Sequence, residues 1–442
     1  MGRGGTAAGV RTTGAGIACG LILALGQAPL PAAAANPDWL SSYETAPDAQ
    51  PVKGASSASA GGPRLTPGTY VDTISGGERK FYRVALDGTS NAYVSAVLAP
   101  PRDGTVSATD GIRVSLRSAE GAHCSVSNDI TFGGTTPLPV ADYSTRRIGK
   151  GRECQTAGDY VYSVEWIGSS GASTASRWPV ELKYMKEPGL KAGAVMPSAP
   201  ASWNTRLPQR VKGEAKGASG GSGFYDATPV GHGVWRDRLN PGESRFYRVP
   251  IDWGQQLFVD GDFGDATSEA SSVAAGLRMT VFNTARGFVD DTGGDYRGTP
   301  TTLSMSTAPA AFANRISDQD DRSAMRFSGW YYLRISLAQR ISSPLPVTLR
   351  VGISGEPQDG PEYEGDATDA GFGISELERA AAQQNAFLDD DDDRAEMLLI
   401  IGVVGLVMGT LLVLWLVVWA VLSRRGRRRR TTARTPFRPS AH

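Results

Sequence analysis

The chain has 442 residues, with 45 basic and 45 acidic side chains, three histidines and three cysteines. That balance hides a partition: residues 1–35 hold two Arg and residues 423–442 hold eight, with no acid in either, so the stretch between carries 35 basic against 45 acidic residues, a net charge of −10. An acidic body argues against nucleic acid and other polyanions as its partners, and so few histidines leave a Ser-His-Asp triad poorly supplied.

Residues 1–35 read as a signal peptide. Arg3 and Arg11 form the basic region, an apolar core runs from about Gly14 to Leu25, and Ala33-Ala34-Ala35 is a small-residue cleavage site. The mature chain is expected to begin at Asn36. The apolar run is too short for a first membrane anchor and is broken by Gly20, Gly26 and Pro29. Residues 36–64, rich in Ala, Ser, Gly and Pro, read as a flexible lead-in.

A strand-rich block follows over 65–187. Alternating segments such as Lys80–Val84, Ala92–Leu98, Ile112–Leu116, Tyr160–Val164 and Val180–Tyr184 are separated by Gly, Pro, Asp and Asn. Period-two patterning with that punctuation predicts a β-sandwich or barrel. Residues 188–223 shift to Pro, Gly, Ala, Ser and Lys and read as an interdomain linker with Gly217–Gly223 as its flexible centre. A second strand-rich block spans 224–354.

The two blocks are copies. Gly68–Val94 aligns with Gly233–Val259 at a constant offset of 165, with ten of 27 positions identical, among them Gly77/Gly242, Glu78/Glu243, Phe81/Phe246, Tyr82/Tyr247, Arg83/Arg248 and Val84/Val249. Gly158-Asp159-Tyr160-Val161 returns later as Gly329-Trp330-Tyr331-Tyr332, so the second copy carries an insertion. Two copies do not make a solenoid, so each is expected to own a core. Residues 355–396 are acidic and Gly-rich, an expected membrane-proximal stalk; Ser375-Glu376-Leu377-Glu378 has capping-box spacing and predicts a short helix from about Glu376 to Leu388.

Met397–Leu422 is 26 residues without charge or proline. As a helix it would be about 39 Å long, enough to cross a hydrocarbon core of about 30 Å with tilt. The arginine-rich tail 423–442 is expected to stay cytoplasmic, with everything before the helix outside, and can touch anionic headgroups. Gly405 and Gly409 form a pair that permits helix–helix approach and hence a dimer.

The repeated Gly-Glu-x-x-Phe-Tyr-Arg-Val reads as a turn followed by a strand, with Phe81, Arg83, Phe246 and Arg248 on one face and Tyr82, Val84, Tyr247 and Val249 on the other. Together with the later Gly-x-Tyr strands, Gly158–Val164 and Gly329–Ile335, this order resembles the bacterial pre-peptidase C-terminal domain. The resemblance covers roughly 65–187 and 225–354. It implies two tandem jelly-roll-like β-sandwich domains in a mainly β protein. Such domains accompany secreted peptidases, where they bind substrate or assist secretion. This chain is expected to depart from that pattern, carrying no peptidase domain and adding a C-terminal transmembrane helix. Its Ala/Gly/Arg-rich composition resembles an actinobacterial surface protein.

With Cys19 in the signal, Cys124 and Cys154 form an even pair in an oxidising setting and are expected to be disulfide-bonded. Zinc is the competing reading, but only His123 and His232 could join them. Gly217-Ala218-Ser219-Gly220-Gly221 fits the Gly-x-Ser-x-Gly elbow formally, yet sits in low-complexity sequence rather than between a strand and a helix. Asp260, Asp262 and Asp265, with Asp318, Asp320 and Asp321, are hard-oxygen groups in expected loops that could take calcium; the same carboxylates could serve glycoside hydrolysis, but nothing sets their spacing. Of Trp166, Trp178, Trp235, Trp253 and Trp330, one or two are expected at the surface, where they could bind glycan or peptide.

The chain is expected to be a single-pass type I protein of the plasma membrane. Its expected role is non-enzymatic: a cell-surface binding or accessory protein that meets cell-wall polymer or an exported or membrane protein and uses no cofactor beyond calcium. A receptor or structural subunit of a membrane complex is the alternative, and an unrecognised hydrolase the second.

Overall fold

The computed structural model describes residues 43–384, apart from 59–60, 102–103, 126–127, 169–176, 196, 206–208 and 267–271. The expected signal peptide, the Met397–Leu422 span with Gly405 and Gly409, and the arginine tail all lie outside the described residues. No helix among the described residues is long and apolar enough to cross a membrane.

Twenty strands form among the described residues, ten in each copy of the repeat. The first copy comprises β1 (Gln50–Pro51), β2 (Arg64–Leu65), β3 (Gly68–Ser75), β4 (Arg79–Leu86), β5 (Asn91–Leu98), β6 (Gly111–Arg117), β7 (Asn128–Thr131), β8 (Val140–Arg146), β9 (Gly158–Ile167) and β10 (Arg177–Glu187). The second comprises β11 (Lys216–Gly217), β12 (Thr228–Pro229), β13 (Gly233–Leu239), β14 (Ser244–Ile251), β15 (Gln256–Phe263), β16 (Val273–Phe282), β17 (Phe288–Tyr296), β18 (Thr301–Ser306), β19 (Gly329–Leu337) and β20 (Leu345–Ser354). The sheets run β1-β3-β10-β5-β8 and β2-β4-β9-β6-β7, then β11-β13-β20-β15-β18 and β12-β14-β19-β16-β17. The two orders repeat strand for strand. Successive strands cross between sheets except at the β6–β7 and β16–β17 hairpins, which is the wrapping of a jelly roll. The protein is mainly β, with two tandem sandwiches.

Local chemistry explains the repeated motif. Gly77 and Gly242 both have a left-handed φ, +75° and +74°, in the turn that enters β4 and β14. The carboxylate of Glu78 accepts from the Ser75 N–H at 2.9 Å, and that of Glu243 from the Asn240 N–H at 2.7 Å. Tyr82, Val84, Tyr247 and Val249 face the cores and are fully buried. The Tyr of each Gly-x-Tyr strand is tethered to the backbone four residues earlier: Tyr160 OH donates to Thr156 O at 2.6 Å and Tyr331 OH to Phe327 O at 3.0 Å.

The ordered repeat starts earlier than the composition suggests. Gly54, within the expected lead-in, donates its N–H to Asp72 at 2.7 Å, and its counterpart Gly220 donates to Asp237 at 2.9 Å. A Cβ on Gly54 would meet Tyr82 Cζ at 2.8 Å, and one on Gly220 would meet Tyr247 Cζ at 2.7 Å. The glycines expected to loosen residues 217–223 instead let the backbone lie against a core tyrosine. Strands of two residues carry no periodicity, so β1, β2, β11 and β12 leave no trace in the pattern.

The two sandwiches stack face to face. Outward side chains of β5 and β8 (Val97, Ala141) meet those of β14 and β16 (Phe246, Phe282), sealed by Tyr43 and Phe224. Beside them Tyr93, Tyr143, Phe327 and Phe372 form a second apolar cluster, with Tyr93 edge-on to Phe327 at 4.9 Å between ring centroids. Phe246 is therefore buried, whereas its counterpart Phe81 is half-buried and Arg83 is exposed. Arg248 lies over the Trp330 ring at 4.5 Å. The faces turned away from the junction carry ion pairs among the described residues. Arg113 pairs with Asp129 at 2.5 Å and with Glu165 at 3.5 Å on the first, and Arg350 pairs with Asp262 at 3.0 Å on the last.

The expected stalk folds back over this junction as far as it is described. Glu362 O accepts from Lys191 N at 2.9 Å, Glu364 N donates to Gly189 O at 2.8 Å, and Phe372 enters the interface. The helix predicted from the capping box is α2 (Glu376–Gln384). Ser375 Oγ accepts from Glu378 N at 3.2 Å while Glu378 accepts from Ser375 N at 2.9 Å. Arg379 anchors it to Asp252 at 3.0 Å. Ser375→Ala should cost about 1 kcal/mol of local stability, read as faster amide exchange in 376–384 with little change in the sandwiches.

Candidate functional site

A cleft of about 790 Å³ opens where the sandwiches meet, lined by residues of both. The first sandwich contributes Tyr143 and Thr145 of β8 and, just beyond that strand, Arg147 and Arg152. The second contributes Phe288, Val289 and Asp290 of β17, then Ser317, Asp318, Asp320, Asp321, Ser323, Ala324 and Arg326. The last group sits in the insertion that separates the two copies. The connection from β8 to β9 is residues 147–157, but that from β18 to β19 is the longer 307–328. It holds a 3-10 turn (Phe312–Ile316) and a one-turn helix, α1 (Asp320–Ala324).

The insertion is pinned from inside. Asn314 donates to Pro309 O at 2.8 Å and to Met325 O at 2.7 Å. Asn283 donates to Ala324 O and to Tyr143 OH, both at 3.1 Å, and so ties the insertion to the first sandwich. Asp320 and Asp321 occupy the first turn of α1, where the helix dipole favours acids.

Two buried carboxylates lock the cleft's walls together. Glu181 of β10 is fully buried; it accepts from Tyr43 OH at 3.1 Å and Ala46 N at 2.7 Å and pairs with Arg286 of the β16–β17 turn. Glu187 accepts from Asn91 Nδ2 at 2.6 Å, Tyr93 OH at 2.8 Å, Tyr363 OH at 2.8 Å and Arg315 Nη2 at 3.2 Å. Burial first, and then the neighbouring Glu187, push the Tyr93 phenol well above its ordinary range. Gly287 lies so close to Tyr143 that a Cβ would come within 2.3 Å of its ring.

The cleft carries both signs of charge: Asp129 and the buried Asp142, which accepts from Phe288 N at 3.1 Å, line it together with the arginines. Asp290, Asp318, Asp320 and Asp321 are exposed and form an acidic rim. Burial, with a contribution from Asp291 and Asp321, raises the Asp290 carboxyl above its usual range. Arg326 is 4% exposed. It donates to the Ser323 carbonyl and to Ser323 Oγ at 3.1 Å, while its Nη1 is buried without a partner. The half-buried Arg147 donates to Arg315 O, and its Nε is likewise without a partner. Burial and the adjacent Arg326 and Arg152 bring Arg147 down to about 10.

Two halves of the expected calcium site do not come together. Asp318, Asp320 and Asp321 line the cleft, but Asp260 and Asp262 lie on the outward face of β15. There Asp262 pairs with Arg210 and Arg350, and Asp260 accepts from Ser304 Oγ at 2.6 Å. Asp265 is exposed beyond the strand. Arginines and hydroxyls take the oxygens calcium would need, and no group of three His, Cys, Asp or Glu among the described residues is placed to hold a metal. Cys124 and Cys154 form a disulfide with Cα atoms 5.3 Å apart, so neither thiolate is free for zinc. Residues 216–217 pair as β11 and Gly221 bridges to Phe246, which replaces the helix a nucleophile elbow requires after Ser219. Trp166, Trp178 and Trp235 are core residues, Trp330 is buried, and Trp253 is half-buried against Phe312. Among these five no exposed aromatic platform exists. Arg147 and Arg326 carried no signal in the sequence, since each reads as an ordinary surface arginine beside a strand.

No protein-family model matches this chain, and no curated protein does. Solved structures match at low similarity. The tandem CBM51 modules of a family 98 glycoside hydrolase from Streptococcus pneumoniae are 9% identical, with 64% of this chain and 83% of that one covered and a TM-score of 0.18. The CBM22 tandem of Paenibacillus barcinonensis Xyn10C is 10% identical over 65% and 92%, with a TM-score of 0.18. The ANX1 ectodomain of Arabidopsis thaliana is 10% identical over 67% and 86%, with a TM-score of 0.19. Scores of this size carry no functional argument.

Proposed function

We propose that this chain is a non-enzymatic binding protein of the cell surface and that the cleft between its sandwiches is the binding site. The observation that carries this reading is that one cleft takes both walls from separate domains held together by buried ion pairs. A rigid, pre-formed cleft of this volume, with a few convergent polar groups, suits a ligand rather than a packing defect. No histidine lines it among the described residues, which supports binding over hydroxyl-based catalysis. The signal peptide and the Met397–Leu422 span support display outside a plasma membrane. The order of Gly-Glu and Gly-x-Tyr segments supports kinship with the pre-peptidase C-terminal domain. Cell-wall polymer is the proposed ligand source.

The test offers full-length protein in detergent to purified cell-wall sacculi and to solubilised membrane proteins. Retention on sacculi, lost when Ser317→Trp fills the cleft, is the expected result. Recovery of specific membrane proteins instead would transfer the reading to a complex subunit, and turnover of wall material would transfer it to a hydrolase.

A further inference from the structure

The cleft's charge pattern narrows what it holds, and this inference rests on the cleft being the binding site. A buried guanidinium nitrogen without a partner is costly, yet two such atoms, Nη1 of Arg326 and Nε of Arg147, belong to residues that line this one cleft. Neither arginine has a carboxylate within ion-pair distance among the described residues, although Asp129, Asp142, Asp290, Asp318, Asp320 and Asp321 line the same cleft. Arg326 is further fixed by lying over the Tyr143 ring, 5.9 Å from its centroid. Each guanidinium thus keeps one donor nitrogen without a partner, and a carboxylate is the acceptor a guanidinium donor pairs with most strongly.

The rim sets the opposite condition. Exposed Asp318, Asp320 and Asp321 have no arginine partner within ion-pair distance among the described residues, and they would repel a uniformly anionic polymer before it reached the floor. A purely cationic ligand would satisfy the rim and leave the arginines unpaired. A ligand with a carboxylate at one end and an ammonium a few atoms away satisfies both. We propose that the cleft binds a short zwitterionic peptide, its carboxylate on Arg147 and Arg326 and its ammonium at the Asp318–Asp321 rim.

The experiment titrates full-length protein in detergent with Lys-Ala-Ala, with its C-terminal amide, with acetyl-Ala-Ala-Ala and with digalacturonate, by calorimetry. The free tripeptide should bind, and amidation should weaken it at least tenfold, since the change removes the carboxylate without touching the protein. Acetyl-Ala-Ala-Ala should also bind more weakly, and Asp320→Asn with Asp321→Asn should close that gap. Arg147→Gln, at a half-buried site, should lose at least tenfold with the melting temperature kept; Arg326→Gln should lose more. Equal affinity for acid and amide would overturn the proposal, as would tighter binding of digalacturonate or no peptide binding at all. Retention on sacculi that persists without peptide binding would overturn this assignment alone, whereas loss of both would overturn the cleft as a site.

Discussion

Glu187→Ala should produce the largest loss of stability of any single substitution at the domain junction. The carboxylate accepts four hydrogen bonds, from two side chains of β5, one of the 3-10 turn and one of the returning C-terminal segment. Its removal leaves Arg315, itself 7% exposed, as an uncompensated buried charge. Breaking such a pair from one side costs about 3–5 kcal/mol. At about 2 °C per kcal/mol for a unit of this size, the melting temperature should fall by about 6–10 °C. Calorimetry checks the magnitude, and amide exchange checks the place: residues 362–374 and 312–316 should open first. The cores of β4, β9, β14 and β19 should stay protected, because each sandwich keeps its own apolar interior. A variant that melts like the parent would show that apolar stacking around Tyr93 and Phe327 holds the domains without the ion pair.

Loss of the disulfide should be comparable in size but different in location. Cys124–Cys154 closes a loop of 30 residues, which in the chain-entropy model contributes about 3–4 kcal/mol. The bridge sits beside Arg146, whose guanidinium is buried and donates to Cys154 O at 2.7 Å, Ser90 O at 2.6 Å and Asp87 O at 2.7 Å. Cys124→Ser with Cys154→Ser, or reduction of the parent, should therefore destabilise the first sandwich and loosen residues 147–157. Those residues carry Arg147 and Arg152, so ligand binding in the cleft should weaken with them. The second sandwich should melt as before. Unchanged exchange in 147–157 after reduction would show that the Arg146 network alone fixes that connection.

The repeat was legible because its signals are local. Gly77 and Gly242 sit where a turn demands a left-handed residue, and Tyr82 with Val84, like Tyr247 with Val249, occupy every second position and face one core. The Ser375–Glu378 capping box needs only four consecutive residues, and it forms as read. The cysteine pair needed only an even count in a chain expected to be exported. The acidic cluster at 318–321 was visible too, but as a calcium site, because a run of carboxylates does not say what faces it.

Stacking of the domains had no such local signature. Glu181 and Glu187 occupy outward positions of β10, where a carboxylate normally meets water; a second domain on that face is what makes them buried latches. Phe246 and Phe81 are the same motif residue, yet one is covered by a neighbouring domain and the other is not. The stretch after residue 355 has the composition of a solvated spacer, and its few apolar anchors, Phe372, Ile374 and Ala382, find their partners only once both sandwiches are in place. The sequence by itself determined the two-copy β architecture, its turns and its crosslink, since neighbouring residues specify these. Only the tertiary structure decided the face-to-face stack and the cleft, because Arg147 and Arg326 acquire a common environment when distant segments bury charge against one another.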